Sequence, residues 1–158
     1  MDLIGLLAIT PPILFSLTIH EYAHAWTANK LGDTTAKDLG RLTLNPIAHI
    51  DPLGIIMLYL VHLGWAKPVP VNPYNLRNPK RDMVWVAVAG PISNILLAFV
   101  LGLLIRSFGH SGVNVDPDSF SGILIYMLVF GFLINLVLAF FNLIPIPPLD
   151  GSKILRGF

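Results

Sequence analysis

The most reactive side chains of this sequence lie in one five-residue segment, His20-Glu21-Tyr22-Ala23-His24. In a helix, residues four apart share a face about one turn from each other, so both imidazoles can reach a single metal ion. Glu21 can then take a proton from water at that ion, which is the arrangement of zinc peptidases with this spacing. The alternative interpretation is that these residues form only the polar end of a transmembrane helix.

A second polar element lies near the other end of the chain, in the segment NLIPIPPLDG at residues 142–151. Its prolines favour an extended backbone that ends in the carboxylate of Asp150 beside a turn glycine. Two histidines and Asp150 would leave the fourth tetrahedral position on zinc open for water, as a hydrolytic site requires. The alternative is an ordinary Asp-Gly turn that caps a short helix over residues 152–155.

The elements that must position these residues are strongly apolar. Of 158 residues, 54% are hydrophobic and 12% charged, whereas a soluble domain carries about 25% charged residues. Three uncharged runs, at 3–19, 83–105 and 119–149, approach or exceed the ~17 to 25 residues that cross a bilayer core. Prolines end the last helix near Phe141 or Asn142. A fourth run, Leu53 to Ala66, is short enough to be a re-entrant or tilted segment.

The remaining composition excludes several classes of protein. Cysteine is absent, so no thiolate can bind the metal, and a net charge of +1 argues against nucleic acid as a partner. The first apolar run begins with Asp2 and has no small-residue cleavage site behind it, so we expect it to stay in the mature protein. We predict a single membrane-embedded domain over residues 1–158.

Lysine and arginine predict the orientation in the membrane. If the run at 53–66 does not cross, nine of the ten basic residues lie on one side and only Arg106 on the other; if it crosses, the division is six to four. Positive charge collects in cytoplasmic loops, which favours the first arrangement. We therefore expect an all-α membrane protein with three full spans, one short or re-entrant segment and a metal site on the cytoplasmic side of the cell (inner) membrane.

The two metal motifs together resemble the site-2 protease family, which is marked by a His-Glu-x-x-His helix and a distant Asn-x-x-Pro-x-Pro-x-x-Asp-Gly segment. The stretches NPIAHIDP at 45–52, GWAKPVPV at 64–71 and AGPISN at 89–94 are similar to the compact branch without a PDZ domain. The resemblance covers almost the whole chain. Family members usually continue past the Asp-Gly motif into another helix, so we expect a truncated or unusually short member.

The resemblance implies intramembrane cleavage of transmembrane protein substrates in the lipid bilayer. It also implies that His20, His24 and Asp150 bind Zn²⁺, that Glu21 is the general base and that Asn94 contributes to the site. Two other functions are weighed against this one. A divalent-metal transporter should distribute ligands at several depths, and a zinc-stabilised membrane scaffold has no need of Glu21.

Four further features have two interpretations each. Asn94 could donate to a developing oxyanion or bond another helix, and Asn135 is assigned to helix-to-helix bonding. The alternating residues 41–44 after Gly40 predict a short β-strand that could pair with substrate, or else a loop. His49 is interpreted as structural or as a support for the site, and His62 as packing or lining water. The sequence predicts no oligomeric state.

Overall fold

The computed structural model describes residues 3–61, 64–110 and 119–157. All the regular elements among these residues are helices, joined by loops. Two short 3₁₀ turns, Pro46–His49 and Pro73–Asn75, lie between the helices. The six α-helices of the described residues are α1 (Leu3–Lys30), α2 (Thr35–Asp38), α3 (Pro52–Val61), α4 (Pro79–His110), α5 (Phe120–Asn142) and α6 (Asp150–Arg156). The predicted all-α class is therefore confirmed.

Helices α1, α4 and α5 pack against one another, and α6 packs against α4. The buried positions are mostly small, among them Ala28, Ala98 and Ala139, whereas large side chains such as Phe99 and Leu133 face outward. Small residues allow helices to approach closely in lipid, where no hydrophobic force drives large side chains inward. The packing thus fits a bundle whose solvent is the bilayer.

Two of the described helices are long and apolar enough to cross a membrane. They are α4, over residues 79–108, and α5, and an 18-residue window within each has a mean hydropathy of 2.3 and 2.7 respectively. Helix α1 has 28 residues, with Pro11 and Pro12 inside it, and is not one of these two helices, so its predicted crossing stays a prediction. Helix α3 has 10 residues, or about 15 Å of rise, which is half the thickness of a hydrocarbon core.

Of the two interpretations of residues 41–44, the structure shows the loop and not the short β-strand. None of the described residues forms a strand, and an isolated antiparallel bridge joins Ile50 to Ala66 instead. The segment is held by bonds that turn it. Arg41 donates through Nη2 to the Lys67 carbonyl, and the Thr43 carbonyl bonds the His49 ring. Alternation alone does not make a strand, because a strand needs a partner for its backbone.

Candidate metal centre

Helix α1 places two buried imidazoles side by side. His20 and His24 are one turn apart, with relative exposures of 4% and 6%, and their Nε2 atoms are 3.0 Å from each other. This is the shared face that their spacing predicts.

Asp150 meets the histidines from the far end of the chain. It is the first residue of α6 and is 4% exposed, and its Oδ2 lies 3.2 Å from His20 Nε2 and 3.1 Å from His24 Nε2. The loop after α5 passes very close to the next residue, Gly151. A Cβ at Gly151 would lie 2.3 Å from the Leu143 carbonyl oxygen. Glycine is therefore required for the loop to pass so close to α6.

The other ring nitrogens of both histidines face hydrogen-bond acceptors. His24 Nδ1 lies 2.7 Å from the carbonyl oxygen of Val86, and His20 Nδ1 lies 2.5 Å from Asn94 Oδ1. A carbonyl oxygen can only accept, so His24 carries a proton on Nδ1, and its neutral form therefore exposes a lone pair at Nε2. With Asn94 oriented in this way, the same holds for His20.

When both imidazoles are neutral, three acceptor atoms thus converge without a proton to share, and a metal cation, or a proton added to one imidazole, would relieve this. Zinc binds imidazole nitrogen and carboxylate oxygen at about 2.0 to 2.2 Å, and tetrahedral geometry then separates its ligand atoms by about 3.3 Å. His20 Nε2, His24 Nε2 and Asp150 Oδ2 form a triangle whose sides of 3.0, 3.1 and 3.2 Å are close to that value. Lys153 Nζ lies 3.1 Å from the other carboxylate oxygen of Asp150 and favours its ionised form. The three residues fit zinc.

Helix α4 covers this triangle with a glycine. A Cβ at Gly90 would lie 2.5 Å from His24 Nε2 and 2.6 Å from His20 Nε2. Gly90 is part of the AGPISN stretch, but its role was not found from the sequence, because nothing local indicates that α4 passes over the histidines. Only glycine leaves the metal-binding nitrogens uncovered here.

Glu21 is half-buried, and its carboxylate is held by the loop before α4. Oε2 accepts from the Val69 backbone N–H at 2.8 Å. The same loop is fixed further along by buried Asp33, which accepts from the Asn72 backbone N–H at 2.7 Å and from Asn75 Nδ2 at 3.1 Å. Burial opposes ionisation of Asp33, but hydrogen bonds from Thr35, Asn72 and Asn75 outweigh it and hold its pKa below the ordinary value.

Asn94 and Asn135 are both wholly buried and bonded to each other, Asn94 Nδ2 donating to Asn135 Oδ1 at 2.7 Å. The helix-to-helix bond predicted for Asn135 is therefore present. Asn94 Oδ1 bonds His20, and its Nδ2 donates to the Ser16 carbonyl of α1 and to Asn135 of α5. Ser16 accepts a hydrogen bond from Asn135. Nothing in the sequence pattern indicated a role for this serine.

His49 does not join the metal group. In the part of the chain that the structure describes, His20, His24 and Asp150 form the one cluster of three metal-binding side chains. His49 is buried, and its Nε2 bonds the Thr43 carbonyl at 2.8 Å, in agreement with a structural role. His62 lies outside the described residues.

Two imidazoles and one carboxylate leave a position open on a bound metal, which distinguishes a hydrolytic centre from a closed structural site. Together with two membrane-length helices, this is the arrangement expected of a hydrolytic metal centre in a membrane protein. Residues 111–158 match the model of peptidase family M50. The chain belongs to this family, so the resemblance to the site-2 proteases is confirmed.

Three relatives illustrate the similarity. The chain is 44% identical to YwhC of Bacillus subtilis (strain 168), over 99% of this chain and 70% of that protein. It is 36% identical to MJ0611 of Methanocaldococcus jannaschii, over 66% of this chain and 49% of the relative. It is 33% identical to Rip2 of Mycolicibacterium smegmatis, over 90% of this chain and 54% of the relative. All three are named provisionally as zinc metalloproteases.

The chain therefore spans about half the length of two of these relatives. No solved structure matches it. The names of the relatives and the fit of the three ligands agree with the zinc predicted from the sequence.

Proposed function

We propose that this chain is an intramembrane zinc metalloprotease that hydrolyses peptide bonds of transmembrane substrate proteins. His20, His24 and Asp150 hold the zinc ion and Glu21 is the general base. The observation that carries the proposal is the triangle of three acceptor atoms, none more than 3.2 Å from the others, with both Nδ1 atoms turned to acceptors. With neutral imidazoles, such a triangle is unfavourable in a buried site unless a cation occupies it, and zinc fills it without protonating a ligand.

Zinc, when bound, supplies a Lewis acid that lowers the pKa of water and polarises the scissile carbonyl. Glu21 takes the proton of the attacking water and passes it to the leaving amine. The Val69 N–H fixes one carboxylate oxygen of Glu21 and leaves the other oxygen to handle the proton. Burial of the three ligands excludes bulk water, which strengthens each of these electrostatic interactions.

Asn94 enters the proposal as a residue that holds His20. Its Oδ1 lies 2.5 Å from His20 Nδ1, its amide nitrogen is bonded on two sides, and its side chain is wholly buried. These contacts favour positioning over the alternative role, donation to a developing oxyanion, since no N–H of the amide is free to turn toward substrate.

A groove of about 600 Å³ is consistent with a transmembrane segment as the substrate. Its walls are apolar stretches of α1 and α5, between Thr10 and Thr18 and between Leu124 and Gly131, with Leu44 and Pro46 at the rim. The groove reaches along α1 as far as Thr18, which lies one turn before Glu21 on that helix. The excess of basic residues near the metal motifs favours a site on the cytoplasmic side of the cell membrane.

The decisive experiment compares the wild type with Glu21→Gln in detergent, for bound zinc and for cleavage of a membrane-spanning reporter. Glu21 is the single glutamate of the chain. A protease retains zinc in the variant and loses cleavage. Asp38→Asn is the matched control, because this exposed carboxylate bonds only Thr34 among its described side-chain contacts, and the control should cleave like the wild type.

Two outcomes would replace the proposal. A transporter predicts no cleavage by either protein and metal flux in liposomes. A scaffold predicts neither activity, with a melting temperature that depends on metal.

A further inference from the structure

A buried chain of hydrogen bonds runs from His20 into the bundle and ends on backbone carbonyls. Its members are Asn94 on α4, Asn135 on α5 and Ser16 on α1, which we call the amide chain. Their relative exposures are 0%, 0% and 1%, so solvent does not complete their bonding. The chain joins three helices to a single nitrogen of one metal ligand.

The end of the amide chain farthest from the metal has a fixed direction. Ser16 Oγ donates its one proton to the Pro12 carbonyl at 2.7 Å and therefore must accept from Asn135 Nδ2, also at 2.7 Å. The same Asn135 nitrogen donates to the Gly131 carbonyl at 2.7 Å. Carbonyls only accept, so the amide nitrogen of Asn135 stays on this side and Oδ1 faces Asn94.

This direction is transmitted to the metal ligand. Asn135 Oδ1 accepts from Asn94 Nδ2 at 2.7 Å, and the Ser16 carbonyl accepts from the same nitrogen at 3.4 Å. Turning the Asn94 amide over would set two oxygens against each other. Asn94 Oδ1 is therefore left for His20 Nδ1, which must carry the proton and leave the Nε2 lone pair to the metal.

We propose that Asn135, together with Ser16, is a positioning residue that sets the tautomer of His20 and thereby makes Nε2 available to zinc. The proposal rests on the proposed function in one respect, that His20 is a zinc ligand. It gives Asn135 a role beyond helix-to-helix bonding. Reversing the amide chain would place a proton on His20 Nε2 and close one of three coordination positions.

The first test measures zinc affinity of the full chain by competition with a chelator. Loss of a group that orients a metal ligand lowers affinity about 10- to 100-fold, and we expect about tenfold for Asn135→Leu. Asn135→Asp should stay within about threefold of the wild type on the same scale, because a protonated carboxyl group donates to the Gly131 carbonyl through its hydroxyl and still accepts from Asn94 through its other oxygen. A role in packing alone predicts the reverse order and would overturn the proposal, since leucine is the apolar residue of similar size.

Two serines provide a matched pair. Ser16→Ala and Ser93→Ala each remove a hydroxyl that bonds a carbonyl of its own helix, Pro12 for Ser16 and Gly90 for Ser93. Only Ser16 also accepts from Asn135. We expect weaker zinc binding for Ser16→Ala and wild-type binding for Ser93→Ala, and equal effects of the two would overturn the proposal.

The second test reads the tautomer directly and needs no zinc. In zinc-free protein at a pH where His20 is neutral, ¹⁵N chemical shifts should report a proton on Nδ1 of His20 in the wild type. Asn135→Leu should show a mixture of tautomers, and a wild-type tautomer in that variant would refute the proposal even if it folds poorly enough to lose zinc. If the wild type binds no zinc at all, the proposed function fails while this measurement still decides the role of Asn135.

Discussion

Gly90→Ala should disable the metal site through a single methyl group. A Cβ at this position would lie 2.5 Å from His24 Nε2 and 2.6 Å from His20 Nε2, whereas ordinary contacts begin at 3.4 Å. The imidazoles or α4 must therefore move by about 0.9 Å to relieve both contacts, the difference between 3.4 and 2.5 Å. Functional sites tolerate displacements of only about 0.5 Å. Each ring is also held at Nδ1, so neither can turn away without breaking a buried hydrogen bond.

We expect zinc affinity to fall at least tenfold, the lower limit for disturbing the groups that orient metal ligands. Tenfold corresponds to about 1.4 kcal/mol. The assay is chelator competition in detergent, with the zinc-dependent rise in melting temperature as a second measurement. Glycine to alanine inside a helix otherwise stabilises by about 0.5 to 1 kcal/mol, so a loss of zinc binding cannot be ascribed to a weaker α4.

Gly102→Ala is the control, in the same helix. A Cβ there would lie 3.4 Å from the Phe132 ring, which is close to ordinary contact. This variant should bind zinc like the wild type and should be equally or more stable. If Gly90→Ala also binds zinc within about twofold of the wild type, on a scale where orienting groups matter tenfold, the inferred closeness of α4 to the histidines is wrong.

Three other predictions concern the surroundings of the site. Val69→Pro removes the N–H that bonds Glu21, so kcat should fall while zinc content is retained, and unchanged kcat would exclude an orienting role for this bond. Asp33→Asn should lower stability by about 1 to 3 kcal/mol, since a buried donor loses its partner. Because the folded-state pKa of Asp33 is lowered, its contribution is present above the ordinary pKa of about 3.9 and is lost as pH falls through the folded-state value. The wild type should therefore lose more stability than the variant as pH falls below about 3.9, the ordinary carboxyl pKa, in denaturation experiments. Leu128→Trp should fill the groove and reduce cleavage of a membrane-spanning reporter but not zinc binding, whereas Val137→Trp, on an outward-facing side chain of α5, should change neither.

The local parts of the site could be predicted from the sequence. The pairing of His20 with His24 needs only helical periodicity, and the end of α5 at Asn142 needs only the prolines that follow. Asp150 was found by a different route, from its motif and from the side of the membrane that the basic residues indicate. Its distance of 3.1 to 3.2 Å from both imidazoles agrees with that assignment.

The parts that could not be predicted depend on contacts between distant residues. Asn94 is 74 residues from His20, and Asn135 is 119 residues from Ser16. No periodicity encodes which helix faces meet, so Gly90, Ser16 and the bond between Asn94 and Asn135 were not identified. The strand interpretation of residues 41–44 was not confirmed for the same reason. Alternation of polar and apolar residues is a local pattern, whereas a strand also needs a distant partner strand.

The two histidines differ in how their tautomers are secured, and this should govern how the site tolerates mutation. His24 Nδ1 is held by the Val86 carbonyl, which every amino acid at that position provides. His20 Nδ1 is held by the amide chain, whose direction depends on three side chains. Buried polar networks are favourable only when every member is satisfied. Substitutions that leave the ligands intact should therefore act on zinc through His20 far more often than through His24.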